Sequence, residues 1–163
     1  MNGRNILMIL IEIISCSYIL GQSSLSYSSF ENFKKNIIKD KRNIIVLNFW
    51  ATWCKPCVAE LPDFERIKKD FKKNKVEVIL ANLDFHSQAD SVVPAFIKKN
   101  NIQSKVIHIT DQDPNDWINK VDPSWTGALP ATVIYYKQEK LWFFEGQTDY
   151  ETLESILTKY IKK

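Results

Sequence analysis

The chain has 163 residues, 45% of them hydrophobic, with six prolines and only four glycines, which is enough for one ordinary core and predicts a single domain. The formal charge of +3 comes from 22 basic and 19 acidic residues. The lysines are scattered in pairs (Lys34-Lys35, Lys68-Lys69, Lys72-Lys73, Lys98-Lys99) that read as separate solvated helix faces, which argues against a nucleic-acid partner.

Residues 1–21 differ from the rest: Arg4, an apolar run from Ile6 to Ile14, then small and polar residues up to Gly21. The order basic, apolar, small predicts an export leader. It falls short of the roughly 20 apolar residues that span a bilayer, and Glu12 interrupts it. Two processing routes stay open. Ile19-Leu20-Gly21 before Gln22 resembles an ordinary cleavage site, whereas Ile13-Ile14-Ser15-Cys16 resembles a lipobox, in which Cys16 would be lipidated and become the mature N-terminus. On the first route Cys54 and Cys57 are the only thiols left, and one close pair in an exported chain suggests redox chemistry more than a disulfide scaffold. A buried first strand or helix is the alternative reading of the leader.

Residues 22–29 are rich in serine and read as a linker, with the folded domain over 30–163. Phe30, Phe33, Ile37 and Ile38 recur at helical spacing, with Ser29 as N-cap. Residues 44–49 are an apolar run without alternation, as in a central strand covered on both faces. Over 54–73, Val58, Leu61, Phe64, Ile67 and Phe71 predict a helix with one buried face, Pro56 in its first turn and Pro62 kinking it. A strand over 76–83, a helix over 91–100, a strand over 106–109 and a short helix over 114–120 follow. Residues 132–136 and 141–145 predict an antiparallel hairpin joined by Lys137 to Lys140, and Leu153, Ile156, Leu157, Tyr160 and Ile161 a closing helix. The sum is an α/β fold, a mixed sheet with helices on both faces.

Disulfide exchange needs a thiolate nucleophile and a second thiol near enough to resolve the mixed disulfide. Cys54 at a helix start would have its thiolate stabilised by free N–H groups and the helix dipole, and Cys57 returns to the same face one turn deeper. Cys54 is therefore the expected attacking thiol and Cys57 the resolving one. A zinc site would need two more ligands, and His86 and His108 stand far apart in sequence; His86 reads as a loop residue and His108 as a hydrogen-bonded core or edge residue.

The run Phe49-Trp50-Ala51-Thr52-Trp53-Cys54-Lys55-Pro56-Cys57 closely resembles the active site of thioredoxin-like proteins, and Val58-Ala59-Glu60-Leu61-Pro62 is similar to the continuation found in the exported TlpA and ResA group. The resemblance implies a thioredoxin-like fold with an added helix and strand over 91–109, and a cis-proline facing the cysteines at Pro130, within Gly127-Ala128-Leu129-Pro130-Ala131-Thr132. Such a proline leaves the neighbouring Leu129 backbone free to pair with an extended substrate. Where thioredoxin has a buried aspartate this chain has Asn48, which cannot titrate, so the resemblance passes proton handling to Glu60; a solvated first-turn glutamate is the alternative. Trp50 and Trp53 would shield the site, and Trp117, Trp125 and Trp142 serve either core or surface. Lys55-Pro56 between the cysteines implies a reducing rather than an oxidising enzyme. The implied partners are protein thiols and disulfides, apocytochromes c among them, with a membrane thiol transporter as electron donor, no metal or organic cofactor, and a monomer. A thiol peroxidase, or a binding module with a structural disulfide, would be the rival functions; peroxiredoxins share the fold, but carry T-x-x-C and a supporting arginine, whereas Thr52 is two residues from Cys54 and Arg66 is the only arginine after the site.

Overall fold

An unbroken apolar run has to be covered on both faces, and strand β2 (Ile44–Trp50) is buried along its whole length. In this computed structural model, which describes residues 25–37, 43–111 and 113–161, it sits inside a six-stranded sheet of order β1-β4-β3-β2-β5-β6. β1 (Leu25–Ser28), β4 (Lys105–Ile109), β3 (Val76–Asn82) and β2 are parallel, while β5 (Ala131–Tyr136) and β6 (Glu139–Glu145) form the antiparallel hairpin.

Alternate residues of β2 feed two different cores, as the period of two in a strand requires. Ile44, Val46 and Trp50 join Leu61, Phe64 and Ile67 of α2 (Lys55–Asp70), Val93 and Ile97 of α4 (Val92–Lys99), and Leu153 and Leu157 of α6 (Tyr150–Ile161). Ile45, Leu47 and Phe49 face Phe30 and Phe33 of α1 (Phe30–Ile37), Val121 of α5 (Ile118–Val121), and two tryptophans. That second core is aromatic: Phe49 lies 4.6 Å from Trp125 and 5.6 Å from Trp117, and Phe30 5.1 Å from Trp117, centroid to centroid, distances at which such rings attract beyond their area burial. Trp117 and Trp125 thus belong to the core, and Trp142 is half-buried.

Four expectations change. Residues Leu25–Ser28, expected within a linker, form β1 beside β4, so the folded unit starts before Phe30; four residues with two serines carry too little apolar signal to mark a strand. The helix expected over 114–120 is a 3-10 turn at Pro114–Asp116 followed by α5. The hairpin turns over Lys137 and Gln138 alone, at φ 50° and 72°, with Tyr136 paired to Glu139, so β6 begins two residues earlier than expected. Two successive left-handed residues usually call for Asn-Gly, and that signal is missing here. His86, expected in a loop, opens the one-turn helix α3 (His86–Ala89). α2 continues through Pro62, whose missing N–H leaves the Val58 carbonyl without its helical partner. The leader, the lipobox at Cys16 and Ile38 lie outside the described residues.

Candidate active site

β2 ends at Trp50, and the chain turns through Ala51-Thr52-Trp53 into Cys54, the N-cap of α2. Cys54 keeps an extended backbone (φ −85°, ψ 100°), and its Sγ accepts the Cys57 N–H at 3.3 Å, the bond that Ser, Thr or Asp makes at ordinary helix starts. Pro56 fits in the first turn because the N–H it lacks would have no helical partner there. Cys54 and Cys57 are joined, Sγ to Sγ at 2.06 Å; both are buried, Cys57 fully and Cys54 to 6% exposure, so Cys54 is the nearer of the two to solvent. Reduced, Cys54 would place a thiolate where the helix dipole and a free N–H both favour negative charge.

One turn beyond Cys57, on the same face of α2, the Glu60 carboxyl is completely buried, which removes the solvated alternative for it. Its Oε1 accepts from Asn48 Nδ2 at 2.7 Å, and its Oε2 accepts the Thr148 N–H at 2.9 Å. Asn48 Nδ2 also donates to Thr132 Oγ1 at 3.1 Å, across the β2–β5 pairing in which Asn48 and Thr132 are opposite partners. Burial pushes the Glu60 carboxyl up to about 7, against the pull of the Thr148 and Asn48 donors, with Asp63 adding a smaller push. A buried carboxyl poised there can take or give a proton near neutral pH.

A second buried carboxyl, on the loop after β3, was not anticipated from sequence. Asp84 Oδ2 accepts the Thr52 N–H at 2.8 Å and Asn82 Nδ2 at 2.6 Å, and its Oδ1 accepts from Thr52 Oγ1 at 2.5 Å. Asn82 Oδ1 in turn takes the Asp84 N–H at 3.2 Å and lies 3.0 Å from His108 Nδ1. The network pins the loop two residues before Cys54 to the carboxyl ends of β3 and β4, where sites collect in parallel sheets. Its one signal in the sequence was an aspartate directly after a buried strand. His86 and His108, far apart in sequence, meet with ring centroids 6.0 Å apart. Burial, and then His86, hold the His108 imidazole below its usual range. Among the described residues no group of three or more His, Cys, Asp or Glu is placed to hold a metal ion.

The Leu129–Pro130 peptide bond is cis. The Phe49–Ala131 pair is the last between β2 and β5, so Pro130 lies just past it, at the end of the sheet where the chain leaves for Cys54. Leu129 packs against the cluster that contains both cysteines, and the Pro130 carbonyl is taken by the Gly146 N–H at 2.8 Å. Trp50 is fully buried against Phe96, whereas Trp53 is 56% exposed and stacks on Phe85, itself 69% exposed. The structure thus brings the four residues singled out from sequence, Cys54, Cys57, Glu60 and Pro130, to one end of the sheet, together with Thr132, Thr148, Asn82 and Asp84, to which sequence reasoning gave no role.

The AhpC/TSA family model matches residues 24–143. Thiol-disulfide oxidoreductase ResA of Bacillus cereus is 35% identical over 129 residues, covering 77% of this chain and 69% of that protein. ResA of Oceanobacillus iheyensis is 34% identical over 79 residues, but the match spans only 48% of this chain and 39% of that protein. Among solved structures, StoA from Bacillus subtilis is 25% identical with a TM-score of 0.59, over 74% of this chain and 86% of that one. A DsbF homologue from Corynebacterium diphtheriae, 23% identical with a TM-score of 0.62 over 73% of both chains, shares the fold. The chain belongs to the AhpC/TSA family of thioredoxin-like proteins and groups there with the ResA thiol-disulfide oxidoreductases.

Proposed function

We propose that the chain is an exported protein-disulfide reductase. The observation that carries this reading is a disulfide whose less buried sulfur caps α2 and whose fully buried sulfur lies one turn from a buried carboxyl pushed up to about 7. In the reduced enzyme the Cys54 thiolate attacks a substrate disulfide; a Cys54–substrate disulfide forms and one substrate thiolate leaves to be protonated. Cys57 then gives its proton to Glu60 and attacks the Cys54 Sγ. The second substrate thiolate leaves and recovers that proton, and Cys54–Cys57 is the new disulfide. The substrate gains two electrons and two protons, which a membrane thiol transporter restores to the enzyme. Pro130 keeps a backbone donor away from the sulfurs, and Leu129 offers its main chain to an extended substrate such as an apocytochrome c. No cofactor enters these steps, and the leader, by cleavage or through a lipid on Cys16, sets the chain outside the cytoplasm, as a monomer.

The peroxidase reading is weaker. Arg66 points to Asp70 at 3.6 Å and covers the Tyr150 ring at 3.6 Å, and Thr52 spends its hydroxyl on Asp84. Insulin reduction measured beside peroxide consumption separates the two: turnover of insulin alone is expected, and turnover of peroxide alone overturns the proposal. Cys57→Ser should trap mixed disulfides with protein partners and Cys54→Ser should not; equal trapping by both would reverse the roles. Since Lys55-Pro56 adds little thiolate stabilisation, the potential should lie nearer thioredoxin, about −270 mV, than DsbA, about −120 mV. A value above about −180 mV in a glutathione buffer would make the enzyme an oxidase or isomerase.

A further inference from the structure

The lysine pairs that read in sequence as separate helix faces converge at one end of the molecule. Helix α2 leaves the carboxyl end of β2 and returns to the start of β3, its parallel neighbour, so it runs against the sheet and its C-terminus lies far from the cysteines. Sixteen residues, about 24 Å of helix, separate Cys54 from that end. Lys68 and Lys69 occupy the last turn of α2, and Lys72, Lys73 and Lys75 the link to β3. Lys98 and Lys99 close α4 in the same sense, and Lys105 opens β4. Cations in last turns suit helix dipoles one by one, and in a parallel sheet the connecting helices all end on one side, so local dipole matching builds a common basic face.

The loops that follow β3 and β4 at the opposite end carry Asp90, Asp111, Asp113 and Asp116, with Lys55 the cation between the cysteines. Among the described residues, the exposed Lys69, Lys72, Lys73, Lys99 and Lys105 have no ion-pair partner. The acids nearby are Glu65, whose Oε1 takes the Ser104 N–H at 2.8 Å, Asp70, held by Arg66, and Glu77. Between α2 and the α4–β4 connection a groove of about 1410 Å³ has an apolar floor that includes Leu61, Val76 and Ile102, with Lys69, Lys72 and Lys105 on its rim. The chain also reaches the sheet from this side: Leu25, the first residue of β1, pairs with Val106, next to Lys105. Arg4 and the apolar run over 6–14 precede it in the sequence.

We propose that this lysine-rimmed end is a docking surface for an anionic lipid membrane, and that it holds the chain with the Cys54–Cys57 pair turned away from the bilayer. Lysines on long apolar stems around an apolar floor suit the headgroup boundary, and a polybasic patch is the second signal that a single lipid or short apolar anchor needs for stable attachment. The inference rests on the exported reading of the proposed function for its setting, and its test uses no disulfide turnover.

The full chain is mixed with vesicles of phosphatidylcholine alone, or of equal parts phosphatidylcholine and phosphatidylglycerol, and the bound fraction is read by sedimentation. The apolar N-terminal run adds the same affinity to both vesicles; the lysines act only on the anionic one, by about fivefold per lysine near the surface. Replacing Lys69, Lys72, Lys73 and Lys105 by Glu should lower binding to the anionic vesicle by about a hundredfold or more and leave the neutral vesicle unaffected, while arginine at the same positions should preserve it. In the unaltered chain, about 1 M salt should abolish the preference, since screening then acts within about 3 Å. Alkylation of reduced Cys54, mapped by peptide mass, should proceed at one rate on and off the vesicles. Equal affinity for both vesicles, a preference that survives the glutamates, capture by a single-stranded oligonucleotide in place of the anionic vesicle, or protection of Cys54 on binding would each overturn the proposal.

Discussion

Two buried carboxyl groups flank the turn that leads into Cys54, and their surroundings differ. Asp84, 5% exposed, takes three donors, two of them from Thr52 in the turn itself. Glu60, fully buried, takes two donors, one per oxygen, from an amide side chain and a backbone N–H. The first is a clamp, because its bonds fix a backbone segment that continues into Cys54. The second is the proton site of the proposed mechanism, where burial outweighs the donors and lifts the carboxyl to about 7. How many donors meet a buried carboxyl, and whether they belong to the moving chemistry or to the frame, separates a structural acid from a working one.

Asp84→Ala should break that contrast most heavily. It strands the Thr52 N–H and hydroxyl and the Asn82 amide together, and a loss of about 2–4 kcal/mol is expected in denaturant unfolding of the oxidised chain. A change within about 0.5 kcal/mol would mean that the turn holds itself and the clamp is incidental.

Glu60 makes a contribution that depends on pH. Burial holds its carboxyl protonated in the folded chain up to about 7, against an ordinary value of 4.5, so the folded state binds an extra proton between these limits. The stabilising effect is full below about pH 4.5 and is lost as pH rises through 7, by at most about 3 kcal/mol. In Glu60→Gln that slope should vanish, and the pH profile of thiol alkylation should shift with it. A slope that persists in the glutamine variant assigns the titration to another group and returns Glu60 to a packing role.

Thr52→Val is the mildest of the three. It removes one hydroxyl bond to Asp84 and keeps the backbone bond, so about 1 kcal/mol is expected, with the alkylation profile unmoved. A shifted profile would show that the clamp and the proton site are coupled through the turn.

What could be read from the chain in advance follows the range of the forces involved. β2 and α2 were legible because an apolar run and a 3.6-residue stripe are local patterns, and the cysteine pair because its spacing and neighbours are local too. Glu60 was legible as a candidate but not as a buried group: early in a helix a glutamate suits the dipole in water. Its burial depends on Thr148, 88 residues away, and its Asn48 partner is fixed by Thr132, 84 residues away. The Asp84 clamp joins residues 32 apart and left only an aspartate after a strand as its trace. β1 and the Lys137–Gln138 turn were hidden for the opposite reason: their local chemistry is atypical, and pairing with β4 and within the hairpin overrides it.

The hairpin's outer strand brings a hazard of its own. β6 is the last strand of the described sheet, and its Leu141-Trp142-Phe143-Phe144 run leaves Phe144 44% exposed beside an unpaired row of backbone donors and acceptors. Such a segment is a template for a second chain to add as a further strand, the first step of aggregation. Glu139 and Lys140 stand before the run and Glu145 after it, and the register shift at Ile134/Tyr135 disturbs the regularity of the pairing beside it. Charged residues on either side of such a run are the usual gatekeepers against added strands, and here two of them are also held in place: Lys140 pairs with Asp122 and Glu145 accepts from Thr126, which ties both ends of the exposed strand to the segment before β5.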